Sequence, residues 1–147
     1  TWIGIIFSAF FVACITLVIA TGFYGRKFDT SSKEYLDKQI PIILANWNVQ
    51  AITEQSSPEL LALGKPELES IIHLFSKKLG KLEKYEGSQG DSFIAYNTNP
   101  LGIIITANYI VKVEFEHGPA LIQIALIKHD SKWQIMKFYV QSDLMLQ

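Results

Sequence analysis

Ile103–Glu116 reads IIITANYIVKVEFE, and its alternation decides the fold. Ile103, Ile105, Ala107, Tyr109, Val111, Val113 and Phe115 point one way, and Thr106, Asn108, Lys112, Glu114 and Glu116 point the other. A period of two is the signature of a strand with one face in a core and the other in water. Outward from this strand, His117-Gly118-Pro119 turns the chain and Ala120–Lys128 returns as a second long strand. His129-Asp130-Ser131 turns it again, and Trp133–Ser142 forms a third. In that last strand Trp133 and Ile135 share one phase whereas Phe138 and Val140 occupy the other, which predicts a β-bulge near Met136-Lys137. Before Ile103, Lys81–Glu86 and Asp91–Thr98 are expected as two further strands.

Upstream of Gly80 the period is helical. Leu36, Ile40, Ile43, Leu44, Trp47 and Ala51 recur at the spacing of one helix face, with Ser31-Ser32-Lys33-Glu34 as a capping box and Pro41 as a kink. Ser57-Pro58 opens a short helical turn that Gly64 ends. Pro66 then starts a helix with a stripe of Leu68, Ile71, Ile72, Phe75 and Leu79, closed by Gly80. Helices followed by a run of antiparallel strands is an α+β order, with the helices laid on a curved sheet.

The first 25 residues carry none of the 27 charged side chains. Trp2–Tyr24 is longer than the roughly 20 apolar residues a membrane-spanning helix needs, and Trp2 and Phe23-Tyr24 suit its two interfaces. The expected organisation is therefore a transmembrane helix at 1–25, a polar connector at 26–32 and an α+β domain at 33–147. Ala9, Ala13, Thr16 and Ala20 fall on one stripe of that helix, a face small enough to pack on another helix. The cations Arg26, Lys27, Lys33 and Lys38 after the span favour, by simple count, a cytoplasmic domain.

The net charge of −1 gives no electrostatic footprint for nucleic acid. The lone cysteine, Cys14, excludes a disulfide or a thiolate metal site in the rest of the chain. No phosphate-binding glycine loop, nucleophile elbow or zinc spacing occurs. His73 follows Glu69 by four residues, but nothing supplies the remaining ligands of a metal, and His117 and His129 lie in turns. Glu114 and Glu116 fall on the solvated face. The residues therefore nominate no catalytic, cofactor or metal site. Most of the aromatic side chains are expected in the core; Trp47, Tyr96, Tyr109 and Trp133 are the alternative candidates to line an apolar cavity, since such pockets combine apolar walls with a few polar tips.

Trp47 late in the first long helix, Ser57-Pro58-Glu59-Leu60, the passage Leu79-Gly80-Lys81-Leu82 and the closing Trp133-x-Ile135-x-x-Phe138-x-Val140-x-Ser142 resemble the nuclear transport factor two-like superfamily, a cone-shaped, cystatin-like α+β fold, over residues 33–142. That superfamily hosts isomerases, dehydratases, ligand binders, secretion-system subunits and assembly factors, so the fold does not choose among them. With a membrane anchor, the resemblance implies a bacterial inner-membrane protein with its domain in the periplasm. The leading expectation is a non-enzymatic accessory subunit or assembly factor of a larger membrane complex. A binder of an apolar small molecule or lipid comes second, and an isomerase- or dehydratase-type enzyme third. The partners implied are the membrane and other membrane protein subunits.

Overall fold

A computed structural model describes the backbone of residues 2–98 and 101–146; side chains are described throughout that range except at 3–12, 14, 16–24, 96–98 and 101. Among the described residues four α-helices precede four strands. The helices are α1 (Trp2–Asn46), α2 (Val49–Gln55), α3 (Pro58–Leu61) and α4 (Lys65–Leu79). The strands are β1 (Leu82–Thr98), β2 (Leu101–Phe115), β3 (Gly118–His129) and β4 (Lys132–Gln141), with a 3-10 turn at Asp143–Met145. They form one antiparallel sheet in the sequential order β1-β2-β3-β4. The expected α+β class, with helices packed on an antiparallel sheet, is what the chain adopts.

The expectation for the N-terminus is corrected. Among the described residues no helix is long and apolar enough to cross a membrane. The apolar run does not close as an element of its own; it opens α1, a 45-residue helix whose second half is built into the domain. The single-pass, periplasm-facing localisation and the transmembrane helix at 1–25 therefore do not stand. The connector at 26–32 and the helix start at Ser31 are corrected too, because α1 runs through both. The Ser31 and Ser32 hydroxyls do not cap a helix start; they donate back to the carbonyls of Phe28 and Asp29. Of the expected small-residue stripe, Ala13 is exposed, and the side chains of Ala9, Thr16 and Ala20 lie outside the described residues.

The core lies between the helices and one face of the sheet. Leu36, Ile40, Ile43 and Leu44 of α1 are fully buried against Val111, Val113, Ile122, Ile124 and Leu126. Burying each such side chain stabilises the fold by about 1.5–3 kcal/mol. Pro41 is carried inside α1. The helix stops at Trp47, which takes a left-handed φ of 50°, and Asn48 caps α2 by accepting from the Ala51 N–H. Ser57 caps α3 in the same way and Pro58 occupies its first turn. Of the expected α4 stripe, Leu68, Ile72, Phe75 and Leu79 are buried, while Ile71 is 40% exposed.

The expected strands at 81–86 and 91–98 are one 17-residue strand, β1, with two irregularities against β2, at Leu82–Lys84 and Tyr85–Ser88. The bulge in β4 lies where the phase change predicts it: Ala125 pairs with Lys137 and Leu126 with Ile135, leaving Met136 as the extra residue. β1 and β2 run past their neighbours, because pairing with β3 begins only at Thr106. Side chains from α1 close the edge of the sheet along β1. The Asp29 carboxylate accepts from the Ser92 N–H, and Lys33 donates to the Ser88 carbonyl at 3.1 Å. At the opposite edge, the Ser57 N–H donates to Ile135 O at 2.8 Å. Unpaired main-chain groups on an edge strand invite other strands, and here helix and loop groups occupy several of them.

Candidate interaction surface

The polar groups of the domain gather on the seam between α1 and the sheet. Asp37 is the centre of the largest cluster: its Oδ1 accepts from Tyr85 Oη at 2.6 Å and Ser88 Oγ at 2.7 Å, and its Oδ2 accepts from Lys33 Nζ at 2.8 Å. Partial burial would raise the Asp37 pKa, but the hydrogen bonds from Lys33, Tyr85 and Ser88 and the Lys33 charge outweigh it and hold the carboxyl below its ordinary value. Burial, reinforced by the Asp37 charge, pushes the Tyr85 phenol well above its usual range. Ser92 donates both its N–H and its hydroxyl to the same Asp29 oxygen. Tyr35, pushed up to about 12 by burial, donates to Gln55 at 2.8 Å and ties α1 to α2.

A general base needs a carboxylate whose proton affinity is raised towards the working pH. Asp37 is lowered and already accepts three hydrogen bonds, so the pair Tyr85–Asp37 fastens β1 to α1. The pair escaped the sequence reading because its members lie 48 positions apart. Only the helical phase of Asp37, one turn beyond Lys33, hints that this side of α1 faces something polar.

The four expected cavity residues do not line one chamber. Tyr109 and Trp133 are 2% and 7% exposed and are held by neighbouring residues of α1. The Ser32 and Tyr109 hydroxyls are 2.7 Å apart, and Trp133 Nε1 donates to Ser31 Oγ at 3.0 Å. Trp47 lies at the other end of this helical segment, stacked on Phe115 with ring centres 5.3 Å apart, its Nε1 donating to Gly80 O at 2.7 Å. The side chain of Tyr96 lies outside the described residues. No buried side-chain polar atom among the described residues lacks a hydrogen-bond partner. The interior between α1 and the sheet is side-chain core.

Outside it the described residues form several hollows, among them one of about 370 Å³ against the strands, lined by Gln89, Asn108, Ile110, Gln123 and Lys137, and one of about 300 Å³ by Glu86, Lys112 and Glu114; two further features lie on the helical side. One is a groove of about 640 Å³ between the α1–α2 junction and α4, lined by Trp47, Val49, Pro66, Glu69, Ile72 and His73 among others. Glu69 and His73 both line it, but among the described residues no group of three or more potential ligands could hold a metal. The other is an apolar ridge on α3, α4 and the turn between them. Leu61, Leu63, Ile71 and Leu74 are 40–55% exposed there. Leu63 and Ile71 rim a dimple of about 50 Å³ floored by Ile52, Leu68, Phe75 and Phe138. Two of these exposed residues, Ile71 and Leu74, fall outside the set Leu68, Ile72, Phe75 and Leu79 that α4 buries.

No family model, curated protein or solved structure matches the chain.

Proposed function

We propose that this domain works by docking, as a non-enzymatic accessory subunit or assembly factor of a larger protein complex, with the α3–α4 ridge as its contact surface. The observation that carries this reading is the contrast between interior and exterior. Trp47, Tyr109 and Trp133 are buried, while Leu61, Leu63, Ile71 and Leu74 stay in water, two of them, Leu63 and Ile71, at the rim of a preformed dimple. Apolar side chains clustered at the surface cost solubility and are characteristic of protein contact sites. A dimple rimmed by leucine and isoleucine suits an apolar anchor residue from a partner, the arrangement that supplies most of the binding energy at protein interfaces. An apolar ligand held between helices and sheet has less support, because aromatic side chains take up that volume. The superfamily resemblance enters as part of the same proposal. Its helix-first order and sequential antiparallel sheet are compatible with a nuclear transport factor two-like cone.

Site-specific photo-crosslinking in the native cell tests the proposal. A photoreactive residue at Leu74 should give one discrete adduct, absent when the same residue replaces Gln123 on the far face of the sheet. Ile71→Asp should abolish that adduct while leaving the circular dichroism spectrum unchanged. A crosslink from Gln123 and none from Leu74 would remove the ridge from consideration.

A further inference from the structure

The face of the sheet turned away from the helices departs from the polar alternation of a solvated surface. It is formed by the strand residues that lie between those entering the core, such as Asn108, Ile110 and Lys112 between Ala107, Tyr109, Val111 and Val113. Phe93, Ile110, Leu121 and Tyr139 stand on this face 55%, 48%, 37% and 54% exposed, and Ala125 and Ile127 on the same face are buried. An antiparallel sheet with one solvated face ordinarily keeps that face polar. The hollow of about 370 Å³ crosses all four strands here, from Gln89 to Lys137.

Register distributes the charges of this face unevenly. Directly paired residues share a face, so Asp91, Asn108, Ala125 and Lys137 form one row across the strands. Gln89, Ile110, Gln123 and Tyr139 form the next. The first row thus carries an acid on β1 at one edge and a lysine on β4 at the other. Both are exposed, and neither forms an ion pair among the described residues. The remaining charges stand towards the two ends of the face. Glu86 is paired with Lys84 at 3.0 Å, Lys112 and Glu114 alternate along β2, and Lys132 lies across from His129.

We infer that this face is the contact surface for a second copy of the chain, the two sheets packing face to face about a two-fold axis that runs along the strands between β2 and β3. Rotation about that axis lays β4 of each copy over β1 of the other. Asp91 then faces the second copy's Lys137, and symmetry makes that contact twice. In the next row Gln89 faces the second copy's Tyr139 and Ile110 faces its Gln123, so Ile110 and Tyr139 of each copy meet the hollow of the other. A two-fold axis across the strands would instead lay β4 on itself. β4 has two lysines on this face and no acid anywhere in its length, so that arrangement gathers like charges. Opposite signs on opposite edges therefore select both a self-complementary partner and its orientation. The α3–α4 ridge lies on the helical side and stays free for a different protein.

Sedimentation of the intact chain should give a species of twice the 16.6 kDa of one copy. Lys137→Glu and Asp91→Lys should each weaken the pairing about tenfold with an unchanged circular dichroism spectrum, and the double variant should restore it. In a Cys14→Ser background, a mixture of Gln89→Cys and Tyr139→Cys chains should be joined by a short bismaleimide. Neither chain should be joined to itself, because like positions then stand three strand spacings apart, about 14 Å, before the gap between the sheets is added. A photoreactive residue at Gln123, close to the axis, should join two identical chains, an adduct distinct from the one with a different protein expected at Leu74. A chain that sediments as a monomer at about 0.1 mM would overturn the inference. A dimer that survives both charge reversals, or one in which Gln89→Cys is joined to itself, would overturn it as well, by assigning the pairing to another face or another axis.

Discussion

Replacing Trp47 should invert the usual order of alanine and glycine. Trp47 is 5% exposed, stacks on Phe115, packs on Phe75 and donates its indole N–H to Gly80 O. Truncating a buried indole costs about 3–5 kcal/mol, and the Gly80 carbonyl loses a partner worth about 1 kcal/mol. Both Trp47→Ala and Trp47→Gly incur these losses. They differ in the backbone, because position 47 has a φ of 50°, in the left-handed region. Within a helix glycine is about 1 kcal/mol worse than alanine, but at a left-handed position the preference reverses by about as much. Trp47→Gly should therefore be the more stable of the two by about 1 kcal/mol. Urea unfolding followed by far-ultraviolet circular dichroism would show this as a midpoint about half a molar higher. An osmolyte such as trimethylamine oxide can keep both variants measurably folded. A midpoint for Trp47→Gly below that of Trp47→Ala would refute the claim that the folded chain requires a left-handed backbone at position 47.

The β3–β4 turn makes a related prediction: Asp130 and Ser131 have φ of 45° and 67°, so Ser131→Gly should raise the melting temperature by about 2–5 °C, read by calorimetry. At Gly90 an added Cβ would lie 1.9 Å from Asn108 O, so Gly90→Ala should cost about 3 kcal/mol in urea unfolding and loosen the β1–β2 hairpin. Because Asp37 has a lowered folded-state pKa, its contribution is present above the ordinary carboxylate range and is lost as pH falls through the folded value. Asp37→Asn should therefore reduce stability at neutral pH and flatten the acid side of the stability–pH profile, modestly because its side chain is 35% exposed and screened by solvent. Ile71→Ser and Leu74→Ser, at exposed positions, should leave the melting temperature within about 2 °C while weakening partner crosslinking.

What the sequence made legible was periodicity. The strand at 103–116, the caps at Ser57 and Gly80 and the bulge at Met136 follow from local rules, and each was found where side-chain phase or turn chemistry placed it. What it concealed was continuity and long-range pairing. Charge begins at Arg26, which suggested a boundary, yet a helix does not need to end where polarity begins, and α1 continues through it. Glu86-Gly87 interrupts β1 without ending it, because β2 keeps pairing on both sides of the irregularity. Core packing was the leading reading of Trp47, Tyr109 and Trp133 and a pocket the alternative, because large aromatic rings suit both. Their hydrogen bonds to Gly80, Ser32 and Ser31, which tie them into the packing between helix and sheet, join residues 33, 77 and 102 positions apart.

The side chains of α1 that occupy the β1 edge tie the safety of the sheet to the docking of one helix. While Asp29 and Lys33 hold the main chain at Ser92 and Ser88, a neighbouring molecule cannot use those groups to start a shared ladder. If the second half of α1 lifts away, the same groups become a template beside an uncharged, β-prone hairpin. The kinetic gate to aggregation is then peeling of a helix, and the sheet need not melt first. Hydrogen exchange at the Ser92 amide would time that event, and a ligand that clamps α1 onto β1 would protect the whole sheet without touching most of it.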